Sequence, residues 1–204
     1  MKQEEIIQRI GNYYNGLVKQ FGHDPKSCDY GHSNSQKIKF NVLSLPLSEK
    51  TKSILDIGCG FADYYDFLKE RFEDINYHGV DISEMMIAEA KKIHPNLSIE
   101  LKNVFETPLP NQYDIVTANG IFYLLGNDSK KIMYDFIEKM YNMSKQAVVF
   151  NSLSSWAPNQ EVNEFYADPL ETMLFCKTIT PWVTLRHDYH PRDFTIYMYK
   201  SRNI

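Results

Sequence analysis

The residues best placed to do chemistry are Asp56-Ile57-Gly58-Cys59-Gly60-Phe61-Ala62-Asp63, with Asp81 about 20 residues further on. Glycine tolerates positive φ and has no side chain, so Gly58 and Gly60 would let the backbone turn sharply and approach a ligand closely. A helix that opens after such a turn aims its unpaired N–H groups at whatever sits there. A carboxylate at the tip of the following strand, the place of Asp81, can accept hydrogen bonds from both hydroxyls of a ribose. Without a ligand these glycines would form only a tight strand-to-helix turn, and it is the spacing to Asp81 that favours a nucleoside-bearing ligand. The dinucleotide pattern Gly-x-Gly-x-x-Gly is not met, because Asp63 stands at its last position.

Such a site needs a strand before it and a helix after it. Ser53 to Ile57 reads as a buried strand, and Asp63 to Phe72 as a helix with Tyr64, Phe67, Leu68 and Phe72 on one stripe. Tyr77 to Val80 is a second strand, closed by Asp81, and Ser83 caps a helix from Glu84 to Ile93 that Pro95 ends. Leu97–Leu101, Tyr113–Ala118 and Gln146–Phe150 read as further strands, with a helix from Asp128 to Met143 between the last two. Thr184–Tyr189 and Phe194–Tyr199, joined through Pro191-Arg192-Asp193, read as a hairpin. Alternation of this kind predicts an α/β fold: a doubly wound, Rossmann-like, seven-stranded mixed sheet with helices on both faces and an antiparallel C-terminal hairpin.

The 204 residues are expected to form a single domain. Residues 1–52 would be a helical cap or flap, 53–150 the ligand-binding core, 151–180 an insertion or lid around Trp156, Pro158 and Pro169, and 181–204 the hairpin.

With 43% hydrophobic and 24% charged residues, the composition is that of a soluble globular protein. A net charge of −4 and the lack of a long Lys/Arg run argue against a nucleic-acid partner. No apolar run approaches the ~18 residues of a membrane span, and Met1-Lys2-Gln3-Glu4-Glu5 shows no apolar signal segment. Cys28, Cys59 and Cys176 are widely spaced, which fits a reducing, cytoplasmic setting without a zinc site. His187 and His190 are three apart, but at a strand end they point differently, and no metal is expected. Arg186, His187 and Asp188 are instead candidates for the substrate side. Met86 reads as packing, and Lys130-Lys131 as a solvated helix start.

Asp56-Ile57-Gly58-Cys59-Gly60-Phe61-Ala62 resembles the first motif of the class I S-adenosylmethionine-dependent methyltransferases, with Ala62 in place of a third glycine. The resemblance extends to Gly79-Val80-Asp81-Ile82-Ser83, to Tyr113-Asp114-Ile115-Val116 and to the hairpin. It implies S-adenosylmethionine as cofactor, leaving S-adenosylhomocysteine as product. By the same resemblance Gly58 and Gly60 pass against the methionine and ribose parts, Cys59 sits at a variable position between them, and Asp56 takes the amino group. Asp81 would hold the ribose diol, Ile82 would pack on adenine with Met85 and Val104 near it, and Asn103 would accept from the adenine amine in place of the family's Asp. In the N-terminal segment, Tyr13, Tyr14, His23, Tyr30 and His32 would suit a flap that excludes water around a sulfonium cation, and Lys39 would reach the cofactor's carboxylate. Each of these also has a plainer reading, as core tyrosines and a solvated lysine. Paired tyrosines, a Gly-His loop and a Ser-Gln-basic helix resemble small bacterial methyltransferases of undefined acceptor.

The expected function is methyl transfer to a small-molecule oxygen or nitrogen acceptor by direct in-line displacement, a reaction in which positioning can supply much of the rate. Candidate catalytic residues, acting by positioning or as a base, are Asn119, Tyr123 and His23; Gly120, Asn151 and Ser152 share the strand ends that should face the acceptor. Asn119 also meets the cofactor in this reading, and equally could only cap a turn with Gly120. The family's DNA and protein-amide methylases carry Asn-Pro-Pro-Tyr where this chain has Asn119-Gly120-Ile121-Phe122, which argues against methylation of a flipped base. The alternatives are a cofactor-binding protein without turnover, different chemistry with the same cofactor, or a tRNA or protein methyltransferase acting with a partner.

Overall fold

A computed structural model describes residues 3–29, 33–72, 74–104, 106, 107, 109, 113–126 and 128–202. Seven strands form one sheet in the order β3-β2-β1-β4-β5-β7-β6, where β1 is Ser53–Ile57, β2 Asn76–Asp81, β3 Ser98–Leu101, β4 Tyr113–Ala118, β5 Ser144–Leu153, β6 Val183–Arg186 and β7 Asp193–Tyr199. The first five run parallel, and β7 is antiparallel to both β5 and β6. The order reverses between β1 and β4, so the carboxyl ends of those two strands open the crevice in which open α/β sheets bind ligands.

Alternation along the central strands builds a core on each face. Leu55, Ile57, Val116, Ala118, Val148 and Phe150 point to one side, beneath helix α5 (Ser129–Met143) and helix α6 (Pro169–Ile179). Ile54, Ile115, Ala147 and Val149 point to the other, where helices α2 (Ser33–Leu43), α3 (Asp63–Lys69) and α4 (Glu84–Ile93) supply Leu43, Leu68 and Ile87. The N-terminal helix α1 (Gln3–Phe21) buries Ile6 and Ile10 in the first core and Val18 against Phe61 and Met86.

Three elements depart from the expected boundaries. Helix α3 stops at Lys69, with Glu70 as its C-cap, although Phe72 still packs on the core. Strand β6 ends at Arg186, so His187, Asp188 and Tyr189 belong to the turn. Within the segment 151–180, β5 continues to Leu153, and a helix starts at Pro169. Proline is favoured at the first helical position, where its missing N–H would be unpaired anyway, and the Asp168 side chain caps that turn by accepting from Glu171 N at 2.8 Å. Pro169 therefore begins a helix inside the segment expected to be an insertion or lid. Tyr30 and His32 lie outside the described residues. Among the described residues no helix is long and apolar enough to cross a membrane.

Candidate functional site

At the carboxyl ends of β1 and β4 lies a cavity of about 680 Å³. Its floor is the glycine turn. Gly58 has φ +75°, and a Cβ there would meet Cγ2 of Ile121 at 2.4 Å. Gly60 has φ +55°, with space for a Cβ limited by Cys28 Sγ at 3.3 Å. Ala62, in the place of a third glycine, also adopts a left-handed conformation, φ +65°, with its side chain fully buried. The turn is held by Asp81, whose Oδ2 accepts from Gly60 N and Oδ1 from Ser83 N, both at 2.9 Å. Burial raises the Asp81 pKa, and these backbone donors oppose the rise. Ser83 caps α4 as expected, its Oγ accepting from Met86 N.

Asp56 shares a sheet face with Ile54 and meets Tyr77 and Thr117 there. Its oxygens accept from Tyr77 Oη at 2.6 Å and Thr117 Oγ1 at 3.0 Å, and only 3% of the residue is exposed. Burial pushes its pKa up to about 6, against the pull of those two hydrogen bonds.

Helix α1 closes the cavity from above the β2 end. Asn15 Oδ1 accepts from Ser83 Oγ and from Met85 N, and Gly11 packs so closely that a Cβ would lie 3.0 Å from the Ile82 carbonyl oxygen. A second set of bonds ties α1 to the segment after β4. Tyr14 Oη and Tyr123 Oη are 2.8 Å apart, and Asp29 Oδ2 accepts from Tyr123 at 2.7 Å and from Tyr13 at 3.0 Å. Burial, the neighbouring Tyr14 and Asp29 raise the Tyr123 pKa, and its hydroxyl donates to Asp29.

Of the residues singled out in the sequence, Tyr14, Lys39, Asp56, Gly58, Cys59, Gly60, Asp81, Ile82, Asn103, Val104, Asn119 and Tyr123 all line this one cavity. His23 and Met85 do not. His23 Nε2 bonds to Asp63 Oδ1 at 2.8 Å and its ring packs on Phe61. Asn119 is engaged by Asn151, whose Nδ2 donates to Asn119 Oδ1 and whose Oδ1 accepts from Gly120 N, both at 2.6 Å. Lys39 Nζ lies 3.0 Å from Asp193 Oδ1.

The residues around the β6–β7 connection that reach the cavity are other than the three singled out in the sequence. Arg186 pairs with Asp188 on the exposed surface and His187 packs on Trp156. None of these three lines the cavity; His190, Arg192 and Asp193 do. β7 runs antiparallel to β5, so its first residue lies at the carboxyl ends of the parallel strands, and Asp193 pairs with Leu153 there. The sequence held the only available signal in the Pro191-Arg192-Asp193 connection, which marked a turn without saying at which edge of the sheet it falls.

Comparison with known proteins identifies the binding frame. A family profile described as "Methyltransferase domain" matches residues 54–146, the span from β1 into β5. A methyltransferase of Mycobacterium tuberculosis, Rv1506c, is 29% identical over 157 residues, covering 73% of this chain and 93% of its own. The chain carries a methyltransferase domain over residues 54–146 and is similar to the class I S-adenosylmethionine-dependent methyltransferases.

It is therefore an enzyme whose methyl donor is S-adenosylmethionine. The malonyl-[acyl-carrier protein] O-methyltransferase of Priestia megaterium is 28% identical over 137 residues, covering 64% of this chain but only about half, 48%, of the relative. Among solved structures, magnesium protoporphyrin IX methyltransferase from Synechocystis PCC 6803 with bound donor superposes with a TM-score of 0.68, 12% identity, and coverage of 96% of this chain and 97% of that one. The plantazolicin methyltransferase BpumL superposes with a TM-score of 0.64 and 14% identity, covering 98% of this chain and all of that one. At such identities the methyltransferase likeness to these structures is one of fold, and the strand order with its antiparallel β7 is the shared frame.

Proposed function

We propose that the enzyme methylates an oxygen or nitrogen of a small molecule held inside the cavity under α1. The observation that carries this reading is the closure of the cavity. Tyr14 and Ile10 of α1, Asp29, and Tyr123 after β4 all line it, and hydrogen bonds join α1 to the other two segments. A volume of about 680 Å³ must receive donor and acceptor together, within the usual range for a small-molecule site. The names of similar proteins support the same reading, since they include methyltransferases of magnesium protoporphyrin IX and plantazolicin.

The residues present fit the methyl donor. Asp81 uses one acceptor position on each oxygen for the backbone, and a carboxylate has about four, so a ribose diol can still be held. Gly58 and Gly60 let the turn at the cavity edge adopt its left-handed backbone. Ile82 and Val104 provide apolar surface for adenine, and Asn103 and Asp56 are the polar groups for the adenine amine and the donor's amino group. The sulfonium supplies an activated methyl group when bound. The protein's part is to exclude water beneath α1, to keep the nucleophile in line, and to keep Tyr14 and Tyr123 as neutral phenols near the cation.

The test is transfer of a labelled methyl group from S-adenosylmethionine into a cell extract, separated into small-molecule and macromolecular fractions. Label in the small-molecule fraction is expected; label confined to protein or RNA would overturn the reading.

A further inference from the structure

Strand order separates the two ends of the cavity. From the glycine turn after β1, β5 is two strands away and β7 three. Neighbouring strands lie about 4.8 Å apart, so the end of β5 is about 10 Å and the start of β7 about 14 Å across the sheet from that turn. In the reading above, this far end belongs to the acceptor. Ser152, near the end of β5, shares a sheet face with Phe150. The Phe150 ring packs on Phe122, and Phe122 on Phe136. Ile10, Phe122, Leu125 and Phe136 line the cavity with Ser152, so an apolar stretch of wall ends at the serine hydroxyl.

Two polar atoms at this end lack a partner. Ser152 is only 2% exposed, and its Oγ has no hydrogen-bond partner among the described residues. Arg192, which also lines the cavity, has its Nε buried and unpaired in the same way. The rest of that side chain is held in place. Its Nη2 donates to Glu164 Oε2 and to Tyr166 Oη, both at 2.7 Å, and the Arg192 carbonyl accepts from Ser154 N at 2.8 Å. Buried polar atoms in folded proteins are nearly always paired, so these two mark the place of a ligand's polar group. A guanidinium N–H can only donate, so that group is a hydrogen-bond acceptor. Its charge follows from the neighbours. Arg192 and Lys39, which line this end, each already face a carboxylate, Glu164 at 2.7 Å and Asp193 at 3.0 Å. A bound carboxylate would be buried without a countercharge of its own, whereas a carbonyl oxygen needs none.

We infer that Ser152 and Arg192 form a subsite for an uncharged carbonyl oxygen of the acceptor, that of an ester, amide or ketone, with the acceptor's apolar body along Ile10, Phe122 and Leu125. This rests on the methyltransferase reading above. Ser152 Oγ and Arg192 Nε each donate to that oxygen, which has two lone pairs to receive them. Neither group touches the transferred methyl. Their part is to select the acceptor and to fix how its reacting atom is presented to the methyl donor. A molecule of the same shape without the carbonyl would leave both donors buried and unpaired, and the discrimination arises there.

The proposal can be tested without turnover, using acetophenone as an uncharged carbonyl probe and benzoate as its anionic counterpart. Each is titrated into protein saturated with S-adenosylhomocysteine, and the readout is the NMR signal of the Arg192 Nε–H, assigned by its loss in Arg192→Lys. Acetophenone is expected to move this signal downfield in a saturable way, and benzoate to bind about tenfold more weakly or less. Ser152→Ala should weaken acetophenone binding about fivefold while its affinity for S-adenosylhomocysteine stays unchanged. An Arg192 signal unmoved by acetophenone, benzoate bound as well as acetophenone, or equal acetophenone affinity in Ser152→Ala would overturn the proposal. So would a shift of the same signal by S-adenosylhomocysteine alone, or weaker binding of S-adenosylhomocysteine in Ser152→Ala, since either would give the two donors to the cofactor. Failure of native protein to bind S-adenosylhomocysteine would overturn the underlying reading with it.

Discussion

Lys39 and Asp193 meet at 3.0 Å, with little of either side chain exposed, and so join the N-terminal helix α2 to the start of β7 across the cavity. Removing one partner of a buried ion pair leaves the other charge uncompensated. Lys39→Met should therefore lower the free energy of unfolding by about 3 kcal/mol. Adding Asp193→Asn to Lys39→Met should recover part of that loss, measurable by urea denaturation. The folded-state pKa of Asp193 is depressed, so its contribution is present above the unfolded value near 4 and fades as pH falls through the lower folded value. Asp193→Asn should accordingly flatten the acid limb of the stability profile.

Asp56 behaves in the opposite sense. Its folded pKa, about 6, is raised above the unfolded value near 4. The stabilisation that comes with its protonation is full below about pH 4 and gone above about pH 6, an effect of about 3 kcal/mol. Between those limits native protein should lose stability relative to Asp56→Asn as pH rises. If Asp56 holds the donor's amino group, affinity for S-adenosylhomocysteine should fall as pH drops through about 6, and should lack that dependence in Asp56→Asn. Paired calorimetric titrations across this range check both statements.

Tyr123 joins Tyr14 of α1 to Asp29. Tyr123→Phe removes both bonds and should cost about 1–2 kcal/mol of stability. Its more specific consequence is faster amide hydrogen exchange in α1 and in the 3₁₀ turn Pro25–Cys28, with the central strands unchanged. A uniform increase in exchange across the sheet would mean that this contact is not a local fastening of the flap.

Gly58→Ala combines a left-handed backbone with a Cβ placed 2.4 Å from Ile121 Cγ2, the stiff branch of a β-branched side chain. A loss of about 2 kcal/mol or more is expected. Ile121→Ala in the same chain should restore the steric part of it and leave the backbone part. Thermal denaturation of the two variants separates these contributions.

The sheet and the glycine turn at its carboxyl end were legible in the sequence because their signals are local. Gly58, Gly60 and Asp81 sit at fixed offsets from strand ends, and alternation within each strand already sorts Leu55 and Ile57 from Ile54 and Asp56. The β7 side of the cavity was not legible to the same degree. His190 and Asp193 reach the cavity only because β7 runs antiparallel and starts at the edge where β5 ends, a tertiary relationship with no local mark. For the same reason Lys39 could be seen as a cation near the site, but not as the partner of a residue 154 positions away. Helix α6 was not legible because Trp156, Pro158 and Pro169 together read as an irregular insertion, and only the cap by Asp168 marks Pro169 as a first helical turn.

The central claim is that the cavity beneath α1 binds the methyl donor through Asp81. Calorimetric titration of S-adenosylhomocysteine into native protein and Asp81→Ala tests it most directly. The account predicts binding to native protein in the micromolar range, weakened about tenfold or more in Asp81→Ala through loss of a charged hydrogen-bond acceptor. Equal affinity in the two proteins, or no binding to the native one, would contradict it.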